Sequence, residues 1–361
     1  MEVHVPKVIV QVVQHLRPGG IEAMALELQR HAATGLAVHV ASLEGEHDTA
    51  LAAWPRLGPL ASRLHFLGKR PGIDMALAWR LRGLLRRLAA DAVHTHHVGP
   101  LLYGGLAARL AGIRSLVHTE HDAWHLTDPR RRRLQAGLVG LLRPCLVADA
   151  ALVRDSAEAA LPGRRYAVIG NGIDTHRFTP GDRDEARRAL GLPRDVRLVG
   201  CAARLESVKG HTHLLQAMAR LPANVHLALA GEGSLAGTLV EEARSLGLGA
   251  RVHFLGNIEA MPDFYRALDL FCLPSLREGL PLAPLEAQAC GVPCVLTDVG
   301  GNREALWSHD GTLVPAGDHA TLARALARRL EHAGSDDPRA FVVRQADVRT
   351  MTRAYEALYA S

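Results

Sequence analysis

Between Leu268 and Thr297 the chain runs apolar strand, proline-bearing loop, short helix, glycine and second apolar strand, and that order leaves few folds open. The run Leu268-Asp269-Leu270-Phe271-Cys272-Leu273-Pro274 is nearly continuous in apolar content and reads as a buried strand. Pro281 and Pro284 suit the first turn of a helix, where a missing N–H costs nothing. Gly291 then ends the helix, and Val292 to Thr297 reads as the next strand. Strand, helix and strand in that order make a unit of an open α/β sheet.

Two carboxylates eight positions apart lie inside this unit. Glu278 falls in the loop at the carboxyl end of the first strand, and Glu286 about one turn into the helix. Ligands of open α/β sheets bind at that edge, and helix N-termini attract phosphate there. Glu278 is placed to accept hydrogen bonds from sugar hydroxyls beside a reacting carbon, and Glu286 to grip a vicinal diol such as a ribose. The plainer alternative is two solvated acids near a helix start, which favours negative charge in any protein. Spacing alone leaves both open.

The surrounding residues add context. Arg277-Glu278-Gly279-Leu280-Pro281-Leu282-Ala283-Pro284-Leu285-Glu286 is preceded by Gly256-Asn257 and Tyr265-Arg266-Ala267-Leu268-Asp269. It continues through Ala287 and Gly291-Val292-Pro293-Cys294-Val295 to Gly300-Gly301. This text resembles the E-x7-E region of the retaining nucleotide-sugar glycosyltransferases of family 4, which have the GT-B fold, and further matches run from about residue 15 to residue 318. The resemblance implies an α/β chain of two Rossmann-like, doubly wound domains facing each other across a cleft. Residues 1–175 would bind the acceptor, residues 176–340 the nucleotide sugar, and residues 341–361 would form a helix crossing back to the first domain.

Composition agrees with such a chain. Its 361 residues suffice for two domains of ordinary size, and 48% hydrophobic with 22% charged residues is a soluble globular mixture. No apolar run approaches membrane-spanning length, and the N-terminus lacks a basic segment followed by an apolar core. A cytoplasmic location is therefore expected, with peripheral attachment to the inner face of a membrane as an added option. The five scattered cysteines read as reduced thiols. Residues 1–180 hold 22 Lys/Arg against 15 Asp/Glu, leaving +7, whereas residues 181–361 hold 20 against 22, leaving −2 of the total +5. A basic first half suggests an anionic partner there.

Lys7 to Val13 reads as a central parallel strand, running through Gly19-Gly20 into the helical pattern from Met24. Strand, glycine turn and helix can cradle phosphate, although the turn lacks the third glycine of the dinucleotide fingerprint. A plain tight turn is the alternative. A helix is expected over Met75–Ala90 with Arg80, Arg82, Arg86 and Arg87 among leucines and Trp79, either a solvated basic face or a membrane contact. Two histidine clusters, His96-His97 and His121 to His125, end neighbouring strands at one sheet edge, and their flanking groups are not expected to form a compact metal-ligand set. The resemblance places His121 beside the transferred sugar, with His118 as a rival that strand alternation turns toward the core, and His96 on the acceptor side. Asp128-Pro129 opens a helix whose next four residues, Arg130 to Arg133, oppose its dipole. They are either a solvated charge run or a contact for anionic lipid or a lipid-linked diphosphate.

Asn171-Gly172-Ile173-Asp174 marks the passage between the halves. Asp182-Arg183-Asp184 matches a metal-binding D-x-D by letters but precedes a helix, so it reads as a capping segment. Arg204-Leu205-Glu206-Ser207-Val208-Lys209-Gly210 follows a strand and matches the family's R-L-x-x-x-K-G motif, with two cations placed to clamp a diphosphate. Gly231-Glu232-Gly233 falls where the family turns backbone toward the nucleotide. A helix is expected to open at Gly300-Gly301-Asn302-Arg303-Glu304, and a single helix over Phe341–Tyr359.

The resemblance thus assigns catalysis to His121, Glu278, Arg204 and Lys209. It assigns nucleotide-sugar contacts to Gly19, Gly20, Arg204, Lys209, Gly231, Gly279, Leu280, Pro281 and Glu286. Arg204 and Lys209 would neutralise the leaving diphosphate in place of a metal. The expected activity is retaining, metal-independent, hexosyl-type transfer from a nucleotide-diphosphate sugar to a lipid-linked or polysaccharide precursor. No cofactor is expected. Partners are the donor, a lipid-linked or saccharide acceptor and, as an option, an anionic membrane surface, with no nucleic acid. Competing readings are an epimerase-like GT-B enzyme and a silent nucleotide-binding scaffold, which a transfer assay separates.

Overall fold

The computed structural model describes residues 7–307, 312–332 and 337–360, and the ends of the expected outer domains, 1–6 and 361, lie outside them. The chain divides into two compact units, Met1–Gly172 with Val348–Ser361, and Ile173–Asp347. The division falls inside the Asn171–Asp174 segment, three residues before the expected boundary.

Unit 1 is built on seven parallel strands, β1 (Lys7–Val13), β2 (Leu36–Ser42), β3 (Leu64–Phe66), β4 (Ala92–His96), β5 (Ser115–Glu120), β6 (Cys145–Ala148) and β7 (Ala167–Val168), in the order β3-β2-β1-β4-β5-β6-β7. Unit 2 has six, β8 (Arg197–Ala202), β9 (Val225–Ala230), β10 (Val252–Phe254), β11 (Leu270–Leu273), β12 (Cys294–Thr297) and β13 (Thr312–Val314), in the order β10-β9-β8-β11-β12-β13. Both follow the Rossmann order, in which the direction of strand addition reverses between the first strand and the fourth and leaves a crevice at the carboxyl edge. Strands covered on both faces need apolar side chains on both, which is why β1, β8 and β11 read as continuous runs rather than alternating ones.

Polar residues interrupt this pattern at chosen places. His39 on β2 lies 3.0 Å from His65 on β3, and His226 on β9 lies 3.1 Å from His253 on β10, stacked pairs at the same place in the two strand orders. In unit 2 the Arg187 side chain is fully enclosed. It donates to the carbonyls of Ala267, Arg194 and Val196 and, at 2.7 Å, to Asp269, so its charge is paired and its N–H groups satisfied.

The expected helix Phe341–Tyr359 is two helices. Pro338–Gln345 belongs to unit 2, and Val348–Tyr359 to unit 1. The break is made by contacts distant in sequence: Asp347 bridges Ile173 in parallel, Ile173 N–H donates to Ala346 O at 2.9 Å, and Arg339 donates to the carbonyls of Thr175, Phe178 and Ala289. These bonds hold residues 338–347 on unit 2. The second helix packs Met351, Tyr355 and Tyr359 against Ile9, Val117 and Val147 of the first sheet. A second correction concerns Gly300–Arg303, which forms one 3-10 turn and opens no α-helix.

Candidate functional site

In unit 2 three loops meet at the carboxyl edge of the sheet, those after β8, β11 and β12. Leu276 N–H donates to Val208 O at 2.8 Å, joining the first two, and Gly301 N–H donates to Gly279 O at 2.7 Å, joining the last two. Two glycines make this approach feasible. A Cβ on Gly210 would stand 2.2 Å from Pro274 O, and one on Gly300 1.9 Å from Glu278 O; both glycines also hold positive φ, +69° and +54°. Below them Thr297 Oγ1 donates to Ser275 O at 2.6 Å, and Asn302 Nδ2 to Thr297 O at 2.8 Å.

This scaffold brings Lys209 Nζ to 2.5 Å from Glu278 Oε1, which also accepts from Ser275 Oγ at 2.6 Å. Glu278 is buried and Lys209 partly so. The pair is thus a cation and an acceptor held together at the edge where ligands bind, each able to turn toward a polar guest. Glu286, on the helix Leu282–Ala289, accepts from Tyr265 Oη at 2.6 Å. That phenol is enclosed, and burial with the neighbouring Glu286 charge pushes its pKa up, so it stays a donor. Pro281 is the extended residue before the helix, and Leu280 packs partly buried on the unit 2 core.

Arg204 lies exposed in the loop after β8, where its charge acts on Glu206, itself bonded to the backbone N–H and hydroxyl of Ser234. It makes no contact with Lys209 or Glu278 among the described residues. Gly231 serves that loop: a Cβ there would stand 2.2 Å from Ala203 O, so its small size lets the segment bearing Arg204 lie down. In unit 1, Gly19 precedes the helix Gly20–Arg30 in extended backbone, and a Cβ on Gly20 would meet open space. A Cβ on Gly19 would stand 2.3 Å from Glu22 Oε2, so this turn already carries a negative group where a phosphate was expected.

The histidines of unit 1 separate by strand alternation onto two networks. On one side His121, buried, meets Asp149 Oδ2 through Nδ1 at 3.2 Å and His96 Nδ1 through Nε2 at 3.0 Å. His96 Nε2 meets Gln11 Oε1 at 3.1 Å, and Gln11 Nε2 donates to Ala25 O at 2.9 Å. The fixed carbonyl sets the polarity: Gln11 Oε1 must accept, His96 Nε2 must donate, and His96 Nδ1 then accepts from His121. His96 is fully enclosed, and burial with the charges of neighbouring histidines holds its pKa well down. It therefore backs His121 from within the sheet. His94 extends the same side, bonded at 2.8 Å to both Thr119 Oγ1 and Tyr359 Oη.

On the other side His118 is enclosed against Thr95 at 3.0 Å, as its alternating position implied. Beside it Glu120 is fully buried, and Gln135 Nε2 donates to its Oε2. The histidine clusters do form a compact set after all: ligand atoms of His97, Glu120 and His125 lie within 4.8 Å of one another. Sequence reading missed this because Glu120 counted as a strand-end residue and His125 sits across a 3-10 turn, Trp124–Thr127, that folds it back. Asp149, Gln11, Ser275 and Tyr265 were also missed. Each meets its partner only through the fold; for Gln11, Asp149 and Ser275 the local signal was a polar residue in or after an apolar strand, and Tyr265, on the helix Met261–Arg266, gave none.

Comparison with known proteins agrees with this architecture. The family description Glycosyltransferase Family 4 matches residues 18–177, and Glycosyl transferases group 1 matches residues 182–342. The putative glycosyltransferase EpsF of Bacillus subtilis is 36% identical over 223 residues, 58% of this chain and 57% of that protein, so the chain spans little more than half of this relative. An Escherichia coli protein, UDP-Gal:alpha-D-GlcNAc-diphosphoundecaprenol alpha-1,3-galactosyltransferase, is 31% identical over 274 residues, 71% of this chain and 70% of that one. The crystal structure of Anabaena Alr3699/HepE in complex with UDP-glucose superposes with a TM-score of 0.86 at 23% identity, covering 98% of this chain and all of that one, a likeness of fold. The paired Rossmann units and these matches together place the chain in the glycosyltransferase family with the GT-B fold.

Proposed function

We propose that the protein is a retaining glycosyltransferase that moves a hexosyl group from a nucleotide-diphosphate sugar to a lipid-linked or saccharide acceptor without a metal at the diphosphate. The observation that carries this reading is the Lys209–Glu278 pair, set by backbone locks at the carboxyl edge of unit 2. When a donor enters, Lys209 turns its charge to the diphosphate and Glu278 accepts from hydroxyls of the sugar. Arg204, exposed in the loop after β8, completes the positive field, so the leaving group is stabilised as bonding to the sugar breaks. Glu286, oriented by Tyr265, takes the ribose diol.

His121 is assigned to the sugar being transferred, held by Asp149 on one nitrogen and His96 on the other. The anionic acceptor is supported by the basic first half of the chain and by the exposed Arg130 to Arg133. The E. coli relative, named for a diphosphoundecaprenol acceptor, points the same way. Membrane contact is part of the proposal. Ile73, Met75 and Trp79 are 82%, 54% and 59% exposed around the start of the arginine-bearing helix Met75–Arg87, while no helix among the described residues is long and apolar enough to cross a membrane.

A thermal-shift screen against nucleotides and nucleotide sugars, uridine compounds first, tests the reading, because a ligand of the native state raises the melting temperature. The true donor should shift the wild type and leave Lys209→Ala unshifted. An equal shift in both proteins removes Lys209 from the donor site. Transfer with an added acceptor, followed by determination of anomeric configuration, then separates retention from inversion and transfer from epimerisation.

A further inference from the structure

We propose that His97, Glu120 and His125 form a binding site for one divalent cation of zinc-like, borderline character in unit 1. The inference stands apart from the donor reading, since it uses other residues and another sheet. Its starting point is Glu120 Oε1, which is fully enclosed and accepts no hydrogen bond among the described residues. A buried carboxylate oxygen without a donor is costly, and native structures rarely leave one so. The other oxygen of the same carboxylate is satisfied by Gln135, with His118 Nε2 at 3.6 Å.

The orphan oxygen is faced by two imidazole nitrogens, His125 Nε2 at 3.7 Å and His97 Nδ1 at 3.9 Å. Their outer nitrogens both turn to a single carboxylate: His125 Nδ1 lies 3.2 Å from Asp122 Oδ1, and His97 Nε2 lies 3.8 Å from Asp122 Oδ2. A carboxylate behind a histidine is the usual outer support of a metal ligand, because it fixes the tautomer that leaves the inner nitrogen's lone pair free. Here Asp122 bonds His125 directly and stands near His97. Two imidazoles and one carboxylate are a set that zinc accepts, with a fourth position for water or a guest. Zinc bonds of about 2.0–2.2 Å separate neighbouring ligand atoms by about 3.4 Å, against 3.7 and 3.9 Å for the two edges to Glu120 and within 4.8 Å for the edge between the histidines, so binding draws the set together.

The bond between His125 Nε2 and Gln135 Oε1, at 2.8 Å, gives way on binding, and the cation takes the place of the proton now on that nitrogen. His97 carries a second mark. Its backbone sits at φ 70°, ψ 167°, a region that only glycine enters without strain, yet the position bears a side chain that reaches Glu120. The His97 and His121 rings lie 5.7 Å apart, so a cation here would brace the loop after β5 on which His121 stands. His97 is partly exposed, which gives the ion a way in.

The test uses the full chain, stripped with a chelator and titrated with Zn2+ against a chromophoric competitor. Wild type is expected to take up roughly one ion per chain and to rise in melting temperature. Glu120→Gln and His97→Gly should each weaken uptake roughly ten- to hundred-fold. His97→Gly also removes the backbone strain, so its metal-free melting temperature should equal or exceed that of wild type, which guards against loss through misfolding. His226→Asn, in the stacked pair of unit 2, should leave uptake unchanged. Absence of zinc uptake by wild type overturns the proposal, and so does uptake that survives both Glu120→Gln and His97→Gly.

Discussion

The two units use one strand order to opposite ends. At the carboxyl edge of unit 2 the polar groups are fixed charges, Lys209 against Glu278, on loops locked backbone to backbone. At the corresponding edge of unit 1 they are imidazoles, His96 and His121 in one network and His97 and His125 in another, threaded among Asp149, Glu120 and Asp122. Fixed charges suit the recognition of a permanently ionised guest such as a diphosphate. Imidazoles suit a place where a proton or a soft cation must come and go. The difference teaches that the shared topology sets where chemistry happens, and the residues after each strand set which chemistry.

The largest expected effect tests whether unit 2 depends on charge in its interior as well as at its edge. Arg187→Ala takes from Asp269 the enclosed one of its two cations at 2.7 Å and leaves three carbonyls without that donor, and should cost about 3–5 kcal/mol in chemical denaturation. Arg183→Ala removes the exposed partner of the same carboxylate and should cost under about 1 kcal/mol. Equal losses would show that burial does not separate the two arginines.

At the edge itself, Lys209→Ala leaves Glu278 with Ser275 as its remaining donor among the described residues and should cost about 1–3 kcal/mol. Glu278→Gln should cost less, because Lys209 can still donate to the amide oxygen. A denaturation cycle over both single variants and the double would show strong coupling, and additivity would dissolve the pair as an energetic unit.

Acid sharpens the comparison. Burial, aided by the charges of His121 and His118, holds His94 well below the ordinary histidine range. In unit 2, burial and then Lys209 bring His211 down to about 4. In both cases the unfolded chain binds the proton more readily. Their contribution is therefore present above about pH 6.5 and is lost as pH falls, for His211 toward 4, by up to about 1.4 kcal/mol per pH unit for each group. Melting temperatures between pH 7 and pH 5 should fall less steeply in His94→Gln and His211→Gln than in wild type. Parallel slopes would mean that neither ring is protonated on unfolding.

The smallest effect belongs to the arginine run. Arg130 to Arg133 are exposed at the start of the helix Pro129–Leu142, where cations oppose the dipole, so replacing all four with Gln should raise stability by a few tenths of a kcal/mol. The same variant should lose salt-sensitive co-sedimentation with anionic vesicles. Retained binding would move the membrane contact to the helix Met75–Arg87 alone.

What could be read in advance follows the range of the interactions involved. The parallel strands were legible because a strand buried on both faces writes its state into five or six consecutive residues. Lys209 and Glu278 were legible because each sits in a loop just past such a strand. The lock between them was not, since nothing near Gly210 announces Pro274 O and nothing near Gly300 announces Glu278 O. Helical periodicity continued through residues 341–359, but the bridge from Ile173 to Asp347 cut it, and a partner so distant in sequence leaves no local trace. The compactness of His97, Glu120 and His125 depended likewise on a turn and on a strained backbone that spacing does not reveal.

The helix Val348–Tyr359 has one further consequence. It walls one face of the first sheet, with Tyr355 and Tyr359 bonded to Thr119 and His94. On the ribosome that wall arrives after unit 2. Unit 2, Ile173–Asp347, must be threaded out first, which takes on the order of ten to thirty seconds at ordinary elongation rates. For that interval the nascent N-terminal half waits with Ile9, Val117 and Val147 bare, and a stalled or shortened message would damage the half that had already been translated.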